Sequence, residues 1–116
     1  RWDERLGGRR RIPPGEEPRD TWWRVEAFRA YSAWTRTPEF GEALTELLDD
    51  AAARTVVIMC SESVWWRCHR RVISAVAVLA RGVAVRHLMH DGRLVDHVPA
   101  EGARLDRDGV VWDGPA

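Results

Sequence analysis

Residues 55–89 constrain the fold of this chain more strongly than any other stretch. The run "TVVIM" (55–59) is continuously apolar and rich in β-branched residues, which is typical of a strand covered on both faces. "CHRRVISAVAVLARG" (68–82) predicts a helix that ends at Gly82, and "VAVRHLM" (83–89) predicts a second strand. A strand, a helix and a strand in this order form a crossover, so this stretch predicts a parallel sheet.

Two more helices are predicted upstream of this unit. Aromatic residues and alanines recur at helical spacing over residues 22–34, and Asp20 or Thr21 is the expected N-terminal cap. Pro38 fits the first turn of a second helix, over residues 38–52. We therefore expect about three helices in all.

The sequence predicts few strands beyond these. Asp91 and Gly92 indicate a turn, "RLVDHV" (93–98) is a candidate edge strand, and residues 101–116 are polar with a weak "GVVW" element. The predicted fold is a single α/β domain over residues 1–116, with three layers and a short, mainly parallel sheet. Two or three strands are too few for a sheet that is buried on both faces. We therefore expect either that a partner supplies strands or that an N-terminal portion is missing.

Composition restricts the class of protein. The chain has 116 residues, of which 45% are hydrophobic and 31% charged, which favours one globular domain with a modest core over disorder. No run of 18 apolar residues is present, so no membrane-spanning helix is predicted. The sequence shows no signal peptide, and two cysteines do not make a disulfide framework. These features predict a cytoplasmic protein with free thiols.

Charge is balanced overall but unevenly distributed. The formal net charge is 0, yet arginines outnumber acidic residues in residues 1–36 and 60–93, and the chain contains no lysine. The two basic segments are expected to converge on an anion-binding face. The alternative is that these charges are scattered over the solvated surface.

The candidate site lies where the predicted strand passes into the predicted helix. Cys60 directly follows "TVVIM", and ligands of open α/β sheets bind at the carboxyl ends of strands. The start of the next helix favours an anion or a thiolate, and Arg70 adds positive charge. Glu62 and His69 are candidates for general acid and base. The sequence therefore predicts a ligand site in this loop.

Each of these residues also has a structural interpretation. Cys60 fits a small buried residue, Cys68 fits a core-facing position, and Glu62 fits a helix cap or a buried ion pair with Arg70. A metal site formed by the two cysteines, His69 and Glu62 is a further option. Neighbouring residues on a helix point about 100° apart, which hinders joint chelation, so no metal is predicted.

The motifs of this region resemble the family called domain of unknown function 488. That family's pattern is an apolar strand ending in Met-Cys-x-Glu, then Cys-His-Arg opening a helix, then a Gly-Val-x-Val-x-His strand. The matching residues are Met59, Cys60, Glu62, Cys68, His69, Arg70, Gly82, Val83, Val85 and His87. Upstream, "LGGRR" (6–10) and "FRAYSAWTRTPEF" (28–40) also match, so the resemblance covers about residues 5–90.

The resemblance implies an α/β fold and a bacterial or archaeal cytoplasmic protein, but no particular substrate or cofactor. It also implies two further strands before Arg1 that this sequence does not contain. One of these strands carries an arginine, and that strand is expected to end near Cys60.

Three functional hypotheses follow. In the first, the chain is an enzyme that acts on an anionic small molecule or a nucleotide. Its catalytic residues are Cys60, Glu62 and His69, and its substrate-binding residues are Gly8, Arg9, Arg10, Cys68 and Arg70. In the second, arginines 9–11 and the tryptophans bind nucleic acid, which the zero net charge disfavours. In the third, the polar cluster is structural.

Overall fold

The computed structural model describes residues 3–59 and 68–114. These residues form three α-helices, α1 (Glu26–Trp34), α2 (Pro38–Ala53) and α3 (Arg70–Arg81), and a single 3-10 turn at Glu4–Leu6. They also form four short strands, β1 (Arg86–Leu88), β2 (Leu94–Asp96), β3 (Ala103–Asp106) and β4 (Gly109–Trp112). The described residues thus mix helix and strand, but the predicted α/β class with three layers and a parallel sheet is wrong.

The helices follow the sequence signals closely. Pro38 lies in the first turn of α2, and the Thr37 hydroxyl accepts a hydrogen bond from the Phe40 N–H at 3.4 Å. Gly82 ends α3 in the left-handed conformation, with φ 65°, and its N–H bonds to the carbonyl of Ala77. The prediction of about three helices is therefore confirmed within the described residues.

The predicted cap of the first helix is wrong. The helix begins at Glu26, and its N-cap is Val25, which makes no side-chain hydrogen bond. Asp20 is instead completely buried and binds both nitrogens of the Arg36 guanidinium end, at 2.9 and 2.7 Å. A short polar residue before a helix suits a cap or a long-range partner equally well, and tertiary contacts decide between the two.

The predicted parallel sheet is also wrong. The four strands form two antiparallel pairs, β1 with β2 and β3 with β4. The predicted second strand shortens to Arg86–Leu88, and a turn at Asp91 and Gly92 folds it back onto β2. A tight turn of this kind brings a local partner to β1 before any distant strand, and it makes that pair antiparallel.

Residues 55–59 do not form the buried strand that their composition predicts. They form no regular secondary structure, Val57 is 66% exposed and Met59 is 85% exposed. Within the described parts of the chain, these five residues make no backbone hydrogen bond. A strand exists only where its backbone groups are paired, so the β-branched sequence alone does not produce one. Without this strand, the three-layer crossover does not form.

The core forms around α3 instead. Residues 72–77 of α3 are all buried, and the helix packs against α1 and against the β3–β4 hairpin. The largest buried side chain is Trp112 of β4, which is 0% exposed although the sequence marks its segment as weak. The buried core residues are Trp23, Tyr31, Phe40, Leu44, Val72, Ile73, Ala75, Val76, Val110 and Trp112. This packing fixes the first turn of α3, where the candidate site lies.

Candidate functional site

Cys68 and Arg70 are joined at the start of α3. The Cys68 sulfur is buried and accepts hydrogen bonds from the Arg70 backbone N–H at 3.3 Å and from Arg70 Nε at 3.0 Å. Donors of this kind stabilise sulfur when it carries negative charge. The contact also holds the Arg70 side chain back along the first helical turn, so its position is coupled to Cys68.

His69 lies against the glycine loop at residues 7–8. A Cβ atom on Gly8 would lie 2.5 Å from Nδ1 of His69, which is closer than real Cβ atoms approach. The ring of Tyr31 packs against the ring of His69, with ring centroids 5.1 Å apart. Glycine is therefore required at position 8 for steric reasons, because any side chain would displace the imidazole.

Arg10 holds this loop on the surface of α1. Its Nε donates to the Gly7 carbonyl at 3.2 Å, and its Nη2 donates to the Glu4 carbonyl. The guanidinium carbon lies 3.8 Å from the centre of the Trp34 ring, in a cation–π arrangement. Arg10 is thus fixed in place, whereas Arg9 is exposed.

The electrostatics of the site favour a neutral imidazole. Burial lowers the pKa of His69, and the positive charges of Arg70 and Arg10 lower it further. Burial raises the pKa of Tyr31, so its phenol keeps its proton and donates to the Leu6 carbonyl at 2.8 Å. At neutral pH, His69 is therefore an uncharged ring that can accept a proton.

Arg71 contributes a second cation on the same helical turn. Its guanidinium carbon lies 4.9 Å from the centre of the Trp23 ring. Burial lowers the pKa of Arg71, which is the sign of a cation partly removed from water. Among the residues that the structure describes, no carboxylate forms an ion pair with Arg10 or Arg71. Within the described segments, Arg10, Arg70 and Arg71 therefore place three cations around the first turn of α3.

The structure brings together five of the predicted site residues. Gly8 and Arg10 lie beside His69, and Cys68 and Arg70 occupy the same turn of α3. Arg9 does not join this group. Cys60 and Glu62, two of the predicted catalytic residues, lie outside the described residues.

A pair of histidines in the next hairpin escaped the sequence prediction as a site. His87 Nε2 and His97 Nδ1 are 2.8 Å apart, and both side chains are buried. His87 stood out only as part of a family motif. The one available signal was a pair of histidines within two apolar runs separated by a turn. No group of three or more histidine, cysteine or acidic side chains in the described segments is arranged to hold a metal ion.

The tryptophans of the described segments do not form an open stacking surface. Trp23 and Trp112 are buried in the core, and Trp22 packs edge-on against Trp23 with ring centroids 5.0 Å apart. Trp34 donates its indole N–H to the Arg5 carbonyl at 2.8 Å. Rings engaged in this way cannot stack on bases without rearranging the core.

A shallow surface groove lies away from these residues. It has a volume of about 520 Å³ and lies between α2 and the C-terminal end of α3. Arg81 closes one side by donating to the Thr45 hydroxyl at 3.0 Å and to the Gly41 carbonyl at 3.1 Å. The groove is open and shallow, and it brings no acid, base or nucleophile together with the cluster at the start of α3.

Comparison with models of protein families shows which family this chain is related to. The model of the family described as "Domain of unknown function DUF488" matches residues 1–77. The chain belongs to the DUF488 family. The DUF488 match spans both helices α1 and α2, the glycine loop and the first turns of α3, and thus the whole cluster around His69. The description of this family names no activity.

No curated protein and no solved structure matches this DUF488 chain significantly. Among the helices of the described segments, none combines the length and the apolar character that a membrane crossing requires.

Proposed function

We propose that this DUF488 chain binds an anionic small molecule or the phosphate of a nucleotide at the start of α3 and acts on it as an enzyme. One observation carries the proposal: Arg10 and Arg71 both lie on tryptophan rings near this turn, without a carboxylate partner among the described residues. A partly buried cation that no acid neutralises attracts an anion from solution.

Arg70 and His69 supply the chemistry of the proposed site. The planar guanidinium of Arg70 is suited to binding two oxygens of a phosphate or carboxylate. His69 is neutral at physiological pH, and it lies where the backbone of Gly8 approaches closely. In the proposed enzyme, His69 takes up or returns a proton, Cys60 is the nucleophile, and Glu62 is the second acid or base.

Anion binding is tested by titrating the chain with inorganic phosphate and with a nucleoside monophosphate, using calorimetry. Replacing Arg70 by Gln removes a charged donor, so we expect binding to weaken about 10-fold or more. Arg81→Gln is the matched control, because Arg81 lies at the opposite end of α3 and should leave binding within about 2-fold. Equal affinities for the wild type and Arg70→Gln would contradict the site, provided that both variants melt cooperatively.

The enzymatic part is tested by alkylation with iodoacetamide over a range of pH, with mass spectrometry locating the label. We expect Cys60 to react with a midpoint well below the ordinary thiol value of about 8.5, because cations favour the thiolate. Cys60→Ser should remove this fast label and leave any label on Cys68. A Cys60 that reacts with an ordinary thiol profile would rule out the activated nucleophile without affecting anion binding.

A further inference from the structure

A hydrogen bond between two buried histidines links the two strands of the β1–β2 hairpin on one face. His87 lies opposite Val95 in the strand register, and its side chain points away from the exposed pair Leu88 and Leu94. His97 follows β2, and its backbone N–H donates to the Val85 carbonyl at 2.8 Å. The bond between His87 Nε2 and His97 Nδ1, 2.8 Å long, therefore closes the open end of the hairpin.

The surroundings of this pair disfavour positive charge. Both side chains are 7% exposed, and their ring centroids are 5.0 Å apart. Within the described segments, the charged groups that act on the pair are Arg70, on His87, and Arg71, on His97. Both arginines belong to the first turn of α3. Burial is the main cause that lowers the pKa of each histidine, and that of His97 falls to about 4.

Proton counting explains how such a pair responds to acid. When both rings are neutral, one of the two facing nitrogens carries a hydrogen and donates it to the other. A first added proton can occupy an outer nitrogen and leave this bond intact. A second proton places a hydrogen on both facing nitrogens, so the bond is lost and two cations face each other.

We propose that the His87–His97 pair is a proton-sensitive latch, which holds the β1–β2 hairpin closed beside the first turn of α3 while at least one ring is neutral and releases it when both rings are protonated. On the outer face of the hairpin, Leu88 and Leu94 are 63% and 58% exposed, so their side chains bury little apolar surface. Arg70 and Arg71 act on the pair and also belong to the proposed anion site, but the bond between His87 and His97 itself requires no bound anion.

The test measures amide hydrogen exchange in the whole chain between about pH 7 and pH 4, corrected for the intrinsic pH dependence of exchange. Hairpin amides, including that of His97, are compared with those of Val72 and Ile73 in α3. We expect protection of the hairpin amides to fall up to about 10-fold per pH unit for each proton taken up, while α3 keeps its protection. Parallel loss of protection in both elements would overturn the latch, because it indicates global unfolding.

Two variants separate the latch from general acid sensitivity. His97→Gln keeps an amide that can bond to His87 but does not titrate, so its hairpin protection should depend much less on pH. His90→Gln makes the same change at an exposed histidine of the same hairpin and should behave like the wild type. An unchanged pH dependence in His97→Gln would overturn the proposal.

Nuclear magnetic resonance titration of the wild-type histidine rings covers the case in which His97→Gln fails to fold. Rings that titrate together and below the ordinary value of about 6.5 support the latch. Independent titration of both rings at the ordinary value overturns it. Neither measurement includes an anion, so the failure of the latch and the failure of the anion site are distinguishable.

Discussion

Asp20 connects three segments of the chain through one buried carboxylate. It binds the Arg36 guanidinium just after α1, and it accepts the backbone N–H of Trp112 in β4 at 3.1 Å. Arg36 also donates to the Val110 carbonyl at 2.9 Å. The carboxylate and the guanidinium satisfy each other in a place with almost no water, so the removal of either one leaves a buried charge unpaired.

We expect Asp20→Asn to lower the free energy of unfolding by about 3–5 kcal/mol, because the amide leaves the Arg36 charge without a counter-ion. Urea unfolding followed by circular dichroism measures this change. Asp108→Asn is the matched control, since Asp108 pairs with Arg19 at the surface and its loss should have no measurable effect. A similar loss in both variants would show that burial of the ion pair is not the cause.

Gly8 controls the position of His69. We expect Gly8→Ala to lower stability by about 1–3 kcal/mol and to weaken phosphate binding, because the new Cβ displaces the imidazole. Gly41→Ala is the control: it lies in α2 with open space around it, so alanine should be neutral or stabilising by up to about 1 kcal/mol. Thermal unfolding and calorimetry give both quantities. Unaltered stability and binding in Gly8→Ala would mean that the loop simply moves aside.

At the scale of elements, the helices and the strands of the β1–β2 hairpin were predictable, but the pairing of the strands was not. The ends of α2 and α3 are set by Pro38 and Gly82, which act through their own backbone preferences. Residues 55–59 carry an equally clear strand composition, but a strand also needs a partner, which sequence composition does not specify. The "GVVW" segment shows the converse, because pairing with β3 and packing on α3 turn a weak pattern into the core strand β4.

The exposure of residues 55–59 leads to a prediction about Val57. Since its side chain is 66% exposed, Val57→Lys should change the free energy of unfolding by no more than about 0.5 kcal/mol. The same substitution at Val72, which is 0% exposed in α3, should prevent folding. Urea unfolding compares the two. A large loss at Val57 would restore the original prediction of a buried strand.

For the molecule as a whole, the sequence indicated where charge and polar groups gather but not how distant parts meet. Gly8 and His69 are 61 positions apart, and only the fold of α3 against α1 brings them into contact. The pair of His87 and His97 depends on the antiparallel hairpin. The sequence predicted a parallel sheet instead, so it did not predict this pair. Cys60 and Glu62 remain predictions from sequence.

Stability is expected to fall as the pH falls below the ordinary histidine pKa. The pKa values of His69, His87 and His97 are lower in the folded chain than the reference value of 6.5. Below pH 6.5 the unfolded chain therefore binds more protons, and stability that is complete above this pH is lost as the pH falls towards about 4, the value for His97.

Urea unfolding at a series of pH values between about 7 and 4.5 measures this loss. The difference between the wild type and His97→Gln isolates the contribution of one histidine from that of the carboxylates. His90→Gln should follow the wild-type curve. Parallel curves for the wild type and His97→Gln would show that His97 takes up its proton equally well in both states.

The stacking of Arg71 on Trp23 has an optical consequence. The indole of Trp23 packs against those of Trp22 and Trp112, with ring centroids 5.0 and 6.0 Å away. Its emission is therefore exposed to the electric field of the guanidinium above it. Any solute that neutralises Arg71 changes that field, so intrinsic fluorescence offers a label-free screen for what this protein recognises.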